Sequence, residues 1–214
     1  MIGRLFASLR DAVSPPAISG AGDLARFLEE KAAYLAQKCA VDYCRAKAGN
    51  FGEKLFREAP FQEALAVCRW ESYAAAAADL LLVTEAALRP HLGADATQAY
   101  DRLEAIFRQI LGAYPVPGHR PQGWGDEFAA FPARLQAARM APPLTPAQIA
   151  AHTARRLHET IPIHESLRTE EDQEFIHGAV RFRMTAIWDE MSWRIRWPEL
   201  ARDLCRVPAD PAPA

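Results

Sequence analysis

The chain has 214 residues, half of them apolar, and a formal net charge of −2. That length fits one domain with appendages and a sizeable core, while the near-neutral balance lacks the basic face that nucleic-acid binding needs. Its 42 alanines against 24 β-branched residues favour helix over sheet throughout.

Residues 2–13 read as a short amphipathic helix closed by Ser14-Pro15-Pro16. Ile2, Leu5, Phe6, Leu9 and Val13 fall within about 100° of arc, with Arg4, Ser8 and Asp11 opposite. So short a helix is marginal on its own and must dock. Leu5, Phe6 and Leu9 would carry that docking, onto the chain's own domain, a membrane surface or a partner's groove. Arg10 and Asp11 interrupt the apolar stretch and argue against a secretory signal. Residues 1–14 are therefore expected to be this helix, 15–22 a linker, 23–206 the bundle domain and 207–214 a disordered tail.

A long helix is expected from about Asp23 to Ala48, broken by Gly49-Asn50-Phe51-Gly52. A third runs from about Pro60 to Leu88 and stops at Pro90. Within it, Tyr73 to Val83 holds five consecutive alanines and is apolar all round except at Asp79. Such a helix is normally one that its neighbours surround. The run is too short to span a bilayer. A fourth helix, capped near Asp95, ends at Tyr114 and carries Leu103, Ile106, Phe107 and Ile110 on one stripe.

Residues 115–125 form a loop on turn chemistry. A shorter helix covers roughly 126–140. Thr145-Pro146-Ala147-Gln148 marks the next start with an N-cap, a proline at N1 and a capping-box glutamine, and Pro162 interrupts that helix. Thr169 begins the last long helix, which reaches Trp197-Pro198 before a terminal turn over 199–206. The fold class is thus all-α: a single-domain bundle of about six main helices, with the third and last long helices at its centre.

The last long helix carries two apolar stripes, Ile176, Val180, Met184, Ile187, Met191, Ile195 and Phe175, Ala179, Phe182, Ala186, Trp193. Two stripes imply two packing partners. Arg183, Glu190 and Arg194 lie on the seam, where Glu190 and Arg194 can pair at i,i+4 or the two arginines can line an anion groove. On the third helix, Arg69, Ser72 and Asp79 share a sector next to Glu71, which makes Arg69, Glu71 and Asp79 candidate ligand-binding residues. A buried Asp79 would have to be paired or protonated. The loop with His119, Arg120 and Trp124 offers an aromatic and a cation for recognition, or an indole that anchors the loop.

Glu174 and His177 make one E-x-x-H, the spacing of bundle di-iron sites. Such a site needs two of these motifs, and Glu174 lies about 110° from the centre of the main stripe. No metal or other cofactor is therefore expected. His152, His158 and His164 recur at a spacing that scatters them around a helix and suits surface histidines. Cys39, Cys44, Cys68 and Cys205 form no CxxC pair, which suits a reduced, cytoplasmic compartment, and Cys39 and Cys44 read as small buried hydrophobes. Glycine-rich phosphate loops and nucleophile elbows are missing from the sequence. The reading that follows is a non-catalytic helical interaction or accessory protein with a protein partner, peripheral to the cytoplasmic membrane if residues 1–14 bind lipid. The alternative is a bundle with an internal metal or small-ligand site of carboxylate and histidine groups.

Overall fold

The computed structural model describes residues 15–93, 96–164 and 168–206. Residues 1–14, with Leu5, Phe6 and Leu9, and the tail from 207 lie outside them, as does the expected cap at Asp95. The described residues form an all-α bundle: α1 (Ala21–Ala48), α2 (Gly52–Leu55), α3 (Ala59–Leu88), α4 (Thr97–Leu111), α5 (Gly125–Met140), α6 (Pro146–Ile149), α7 (Ala151–Thr160), α8 (Glu170–Arg194) and α9 (Trp197–Leu204). Among these residues the only β pairing is an isolated parallel bridge between Ile18 and Ile195.

α3 is the axis. No residue from Glu71 to Glu85 is exposed, because α1, α4, α5, α6, α7 and α9 all pack against it. The alanine run permits this by letting backbones approach. Ala76 is wholly buried, so Ala76→Leu should overpack the bundle and cost about 1–3 kcal/mol in thermal unfolding. An unchanged midpoint would place that face at a loosely packed boundary.

The helix ends follow local chemistry. Thr145 and Thr169 both form complete capping boxes, with Gln148 and Asp172 as the returning side chains. The expected linker is shorter than the glycines suggested. Ile18 is buried, and α1 begins at Ala21 because its N–H donates to the Asp203 carboxylate of α9 at 2.8 Å. The expected terminal turn is likewise a helix, α9, begun with Pro198 in its first turn.

α8 is peripheral rather than central, which corrects the expectation that both of its apolar stripes are packed. Ile176, Val180, Met184, Ile187 and Met191 are buried against α1, α6 and α7. On the other stripe Phe175, Phe182 and Trp193 are 54%, 74% and 58% exposed. The free thiols Cys39, Cys44 and Cys68 are buried, and burial raises each above the ordinary thiol range. Among the described residues no helix is long and apolar enough to cross a membrane.

Candidate functional site

Glu71 and Asp79 sit eight residues apart on α3, about 12 Å along the axis, and both are buried. Each meets a guanidinium carried from a distant part of the chain. α7 supplies Thr153 opposite Asp79 and Arg156 opposite Glu71, so it runs antiparallel to α3. α5 sends Glu127 to the Glu71 end and Arg134 to the Asp79 end, so it runs parallel to α3.

Asp79 is completely enclosed. It accepts from Arg134 at 2.6 Å on one oxygen, and from the Thr153 N–H at 2.9 Å and hydroxyl at 2.6 Å on the other. Burial pushes its carboxyl above the ordinary aspartate range, and Arg134 and Thr153 pull the other way. Three donors on two oxygens match the ionised form.

At the other end Arg120 is the hub. Its guanidinium grips both oxygens of Glu71, both oxygens of Asp126 at 2.7 and 2.9 Å, and stacks 4.4 Å from the Trp124 ring centroid. The bidentate fork and the planar stack are uses that lysine could not replace. His119 Nε2 lies 2.9 Å from Glu71, and Arg156 bonds Glu127. Burial alone would raise Glu71, but hydrogen bonds from Arg120 and His119 hold it below the ordinary glutamate value. The same contacts raise Arg120 further above its already high range.

A cavity of about 210 Å³ opens between the two ends, with Ala78, Phe107 and Phe131 on its apolar side and Asp126, Glu127, Arg134, His152 and Arg156 on its polar side. Burial, then the neighbouring Arg134, Arg156 and Arg155, depress His152 to about 4. A histidine held neutral in the folded state stabilises it above the unfolded value of 6.5. That stability is lost as pH falls from 6.5 towards 4. The loss should be roughly 2 kcal/mol after allowing for water that reaches the ring. Urea unfolding of His152→Gln against the parent should remove that acid slope. An unchanged slope would assign it to other groups.

The loop of His119, Arg120 and Trp124 is pinned down rather than presented. Trp124 is only 4% exposed, so of its two expected roles the indole takes that of the loop's anchor. Arg69 is exposed and lines a different groove with Trp70, Tyr73 and Tyr114. The polar sector from Arg69 to Asp79 therefore passes from solvent into the core instead of forming one site. Arg183 bonds Asp42 of α1 at 2.7 Å. Arg194 bonds Glu190 at 2.7 Å and stacks over Phe27. Asp42 and Phe27 lie fifteen positions apart on α1, roughly 22 Å, so the two arginines line no common groove.

Glu174 is exposed. His177 is half-buried, and its Nε2, like that of His158, has no hydrogen-bond partner among the described residues. Burial lowers His177 below the ordinary histidine value, with Arg181 and His158 adding to it. Among the described residues no three histidine, cysteine, aspartate or glutamate side chains are placed to hold a metal ion.

Sequence reasoning missed Arg134, Thr153, Arg156, Asp126 and Glu127 at this site. It also missed buried Glu85, whose carboxylate pairs with Arg89 at 2.6 and 2.9 Å. Only the last pair left a signal, its i,i+4 spacing. No known family model, curated protein or solved structure matches the chain.

Proposed function

We propose that the chain is a non-catalytic helical interaction or accessory protein, and that the outer face of α8 is where it meets a protein partner. The observation that carries this reading is the line of Phe175, Phe182 and Trp193, each more than half exposed on one stripe of one helix. Exposed aromatic side chains on one helix face can serve as anchors in a protein interface. The polar centre supports the same reading from the other side. Glu71 and Asp79 are each held by arginine, so they act as structural ties between α3, α5, α7 and the 115–124 loop. The free thiols of Cys39, Cys44 and Cys68 suit a reducing, cytoplasmic setting.

A photo-crosslinking residue placed at Phe182 in the native host should give a discrete adduct with another protein, and one placed at exposed Asp101 of α4 should not. Phe175→Ser should weaken the Phe182 adduct. If no position on the stripe yields an adduct above background, the interaction reading fails.

A second reading, an internal small-ligand site, has one observation in its favour. The cavity beside Arg134 and His152 also meets Arg156, whose Nε is buried without a hydrogen-bond partner among the described residues and lies 3.6 Å from the Glu71 carboxylate. The ligand class would be a small organic anion with an apolar body. Saturable thermal stabilisation by benzoate, lost in Arg156→Met, would support it. No stabilisation at millimolar benzoate would remove it.

A further inference from the structure

We infer that the recess between α1 and α3 is a binding site for a small aromatic carboxylate, with Arg69 taking the charge. The site is separate from the outer face of α8 and from the cavity beside His152.

The recess begins with spacing. Ala66, Arg69, Trp70 and Tyr73 recur at i, i+3, i+4 and i+7 along α3, so they share one face. Ala33 and Gln37 share a face of α1 in the same way, and α1 packs against α3. Alanines on both helices leave the space between them unfilled, and a cavity of about 300 Å³ remains, to which Tyr114 adds a further wall. That volume lies at the small end for ligand pockets and limits the guest to one or two fused rings.

The aromatic walls are fixed before a guest arrives. The ring planes of Trp70, Tyr73 and Tyr114 stand at 82°, 66° and 77° to one another, with centroids 5.6 to 6.1 Å apart. They form a corner of three nearly perpendicular faces. The Tyr73 hydroxyl donates to the Ile110 carbonyl at 2.9 Å, and the Tyr114 hydroxyl donates to Glu29. Ile110 and Glu29 both line a different, smaller recess. Two of the three rings are thus tethered from elsewhere, so little ordering is left for the guest to impose. A flat aromatic guest suits such a corner, because it can stack on one ring and meet the next edge to face.

The charge of the guest follows from Arg69. Arg120, Arg134, Arg183 and Arg194 are each paired with a carboxylate. Arg69 is exposed, lines the recess, and has no hydrogen bond, ion pair or ring stack among the described residues. Its fork can take a carboxylate with two hydrogen bonds, and the Gln37 amide from α1 can donate to the same group. None of the described residues lining the recess is acidic.

Isothermal titration of the full chain with 2-naphthoate tests this. One-to-one binding with a Kd below about 1 mM is expected. Arg69→Gln should weaken it at least about tenfold, and 2-naphthamide should bind at least about tenfold more weakly than the acid. Arg69→Lys should recover part of the loss, since lysine keeps the charge without the fork. Because Arg69 is exposed, Arg69→Gln should keep the parent's thermal midpoint. Ala66→Leu, which fills the recess, should abolish binding; if that variant unfolds early, the Arg69 series decides. Arg155→Gln and Arg156→Met should bind as the parent does. Absence of saturable heat up to about 5 mM naphthoate would overturn the proposal, as would equal affinity for acid and amide, or unchanged binding in Arg69→Gln. Binding lost in Arg156→Met but kept in Arg69→Gln would overturn it and assign naphthoate to the cavity beside His152. The Phe182 adducts are read in a separate experiment, so loss of this site would leave the α8 reading standing.

Discussion

Arg134→Leu should be among the most destabilising single changes in the chain, at about 3–5 kcal/mol near neutral pH. Asp79 is fully enclosed and Arg134 is its only guanidinium partner among the described residues, so the variant would leave a buried carboxylate with Thr153 alone. The deficit should depend on pH. Burial already raises the Asp79 carboxyl, and loss of Arg134 raises it further. An acid whose folded value lies above its unfolded value gains relative stability as pH falls through the folded value, because the folded state then binds the proton more tightly. The gap between parent and variant in urea unfolding should therefore narrow from pH 7 to pH 4.5. Adding Asp79→Asn to Arg134→Leu should restore part of the loss, since the two side chains touch and cannot act independently. A constant deficit across that range would mean that packing, and not charge, sets the cost.

Arg120→Met should cost about 3 kcal/mol and release the 115–124 loop. One guanidinium holds Glu71, Asp126 and the Trp124 ring together, and methionine keeps the bulk while removing every donor. Trp124 should become accessible, visible as a red-shifted emission and as new chymotryptic cleavage beside it. In the parent, Glu71 lies below its ordinary value. The stability it contributes is present above about pH 4.5 and lost as pH falls through the folded value. Removing Arg120, the first of the groups that hold it down, should flatten that acid limb. Intact loop protection in the variant would assign the anchoring to Trp124 packing alone.

The fold was legible because its signals are local. The alanine run of α3, the capping boxes at Thr145 and Thr169 and the stripe of α4 each lie within one or two turns, where propensity and periodicity act. The site was half legible. Glu71, Asp79, His119, Arg120 and Trp124 stand out as polar or aromatic residues in unusual surroundings, but their connections span long separations. Arg134 is 55 positions from Asp79 and Arg120 is 49 from Glu71, and no spacing rule reaches that far. The two stripes of α8 show a different limit. They are equally apolar in sequence, and only the arrangement of α1, α6 and α7 decides that Met184 is enclosed while Phe182 is not.

The clasp of Ile18 with Ile195 has a kinetic consequence. It closes a loop of 177 residues (195 − 18), so its two hydrogen bonds cannot repay the closure entropy, on the order of 4–5 kcal/mol, until most of the bundle has assembled. The clasp belongs to the last stage of folding. Ile18→Ala should accelerate unfolding in stopped-flow experiments and leave the refolding rate nearly unchanged. A slowed refolding limb would place this contact in the nucleus. The two ends of the described chain thus act as a latch on a bundle that has already formed, and the latch sets how long the native state lasts rather than how quickly it is reached.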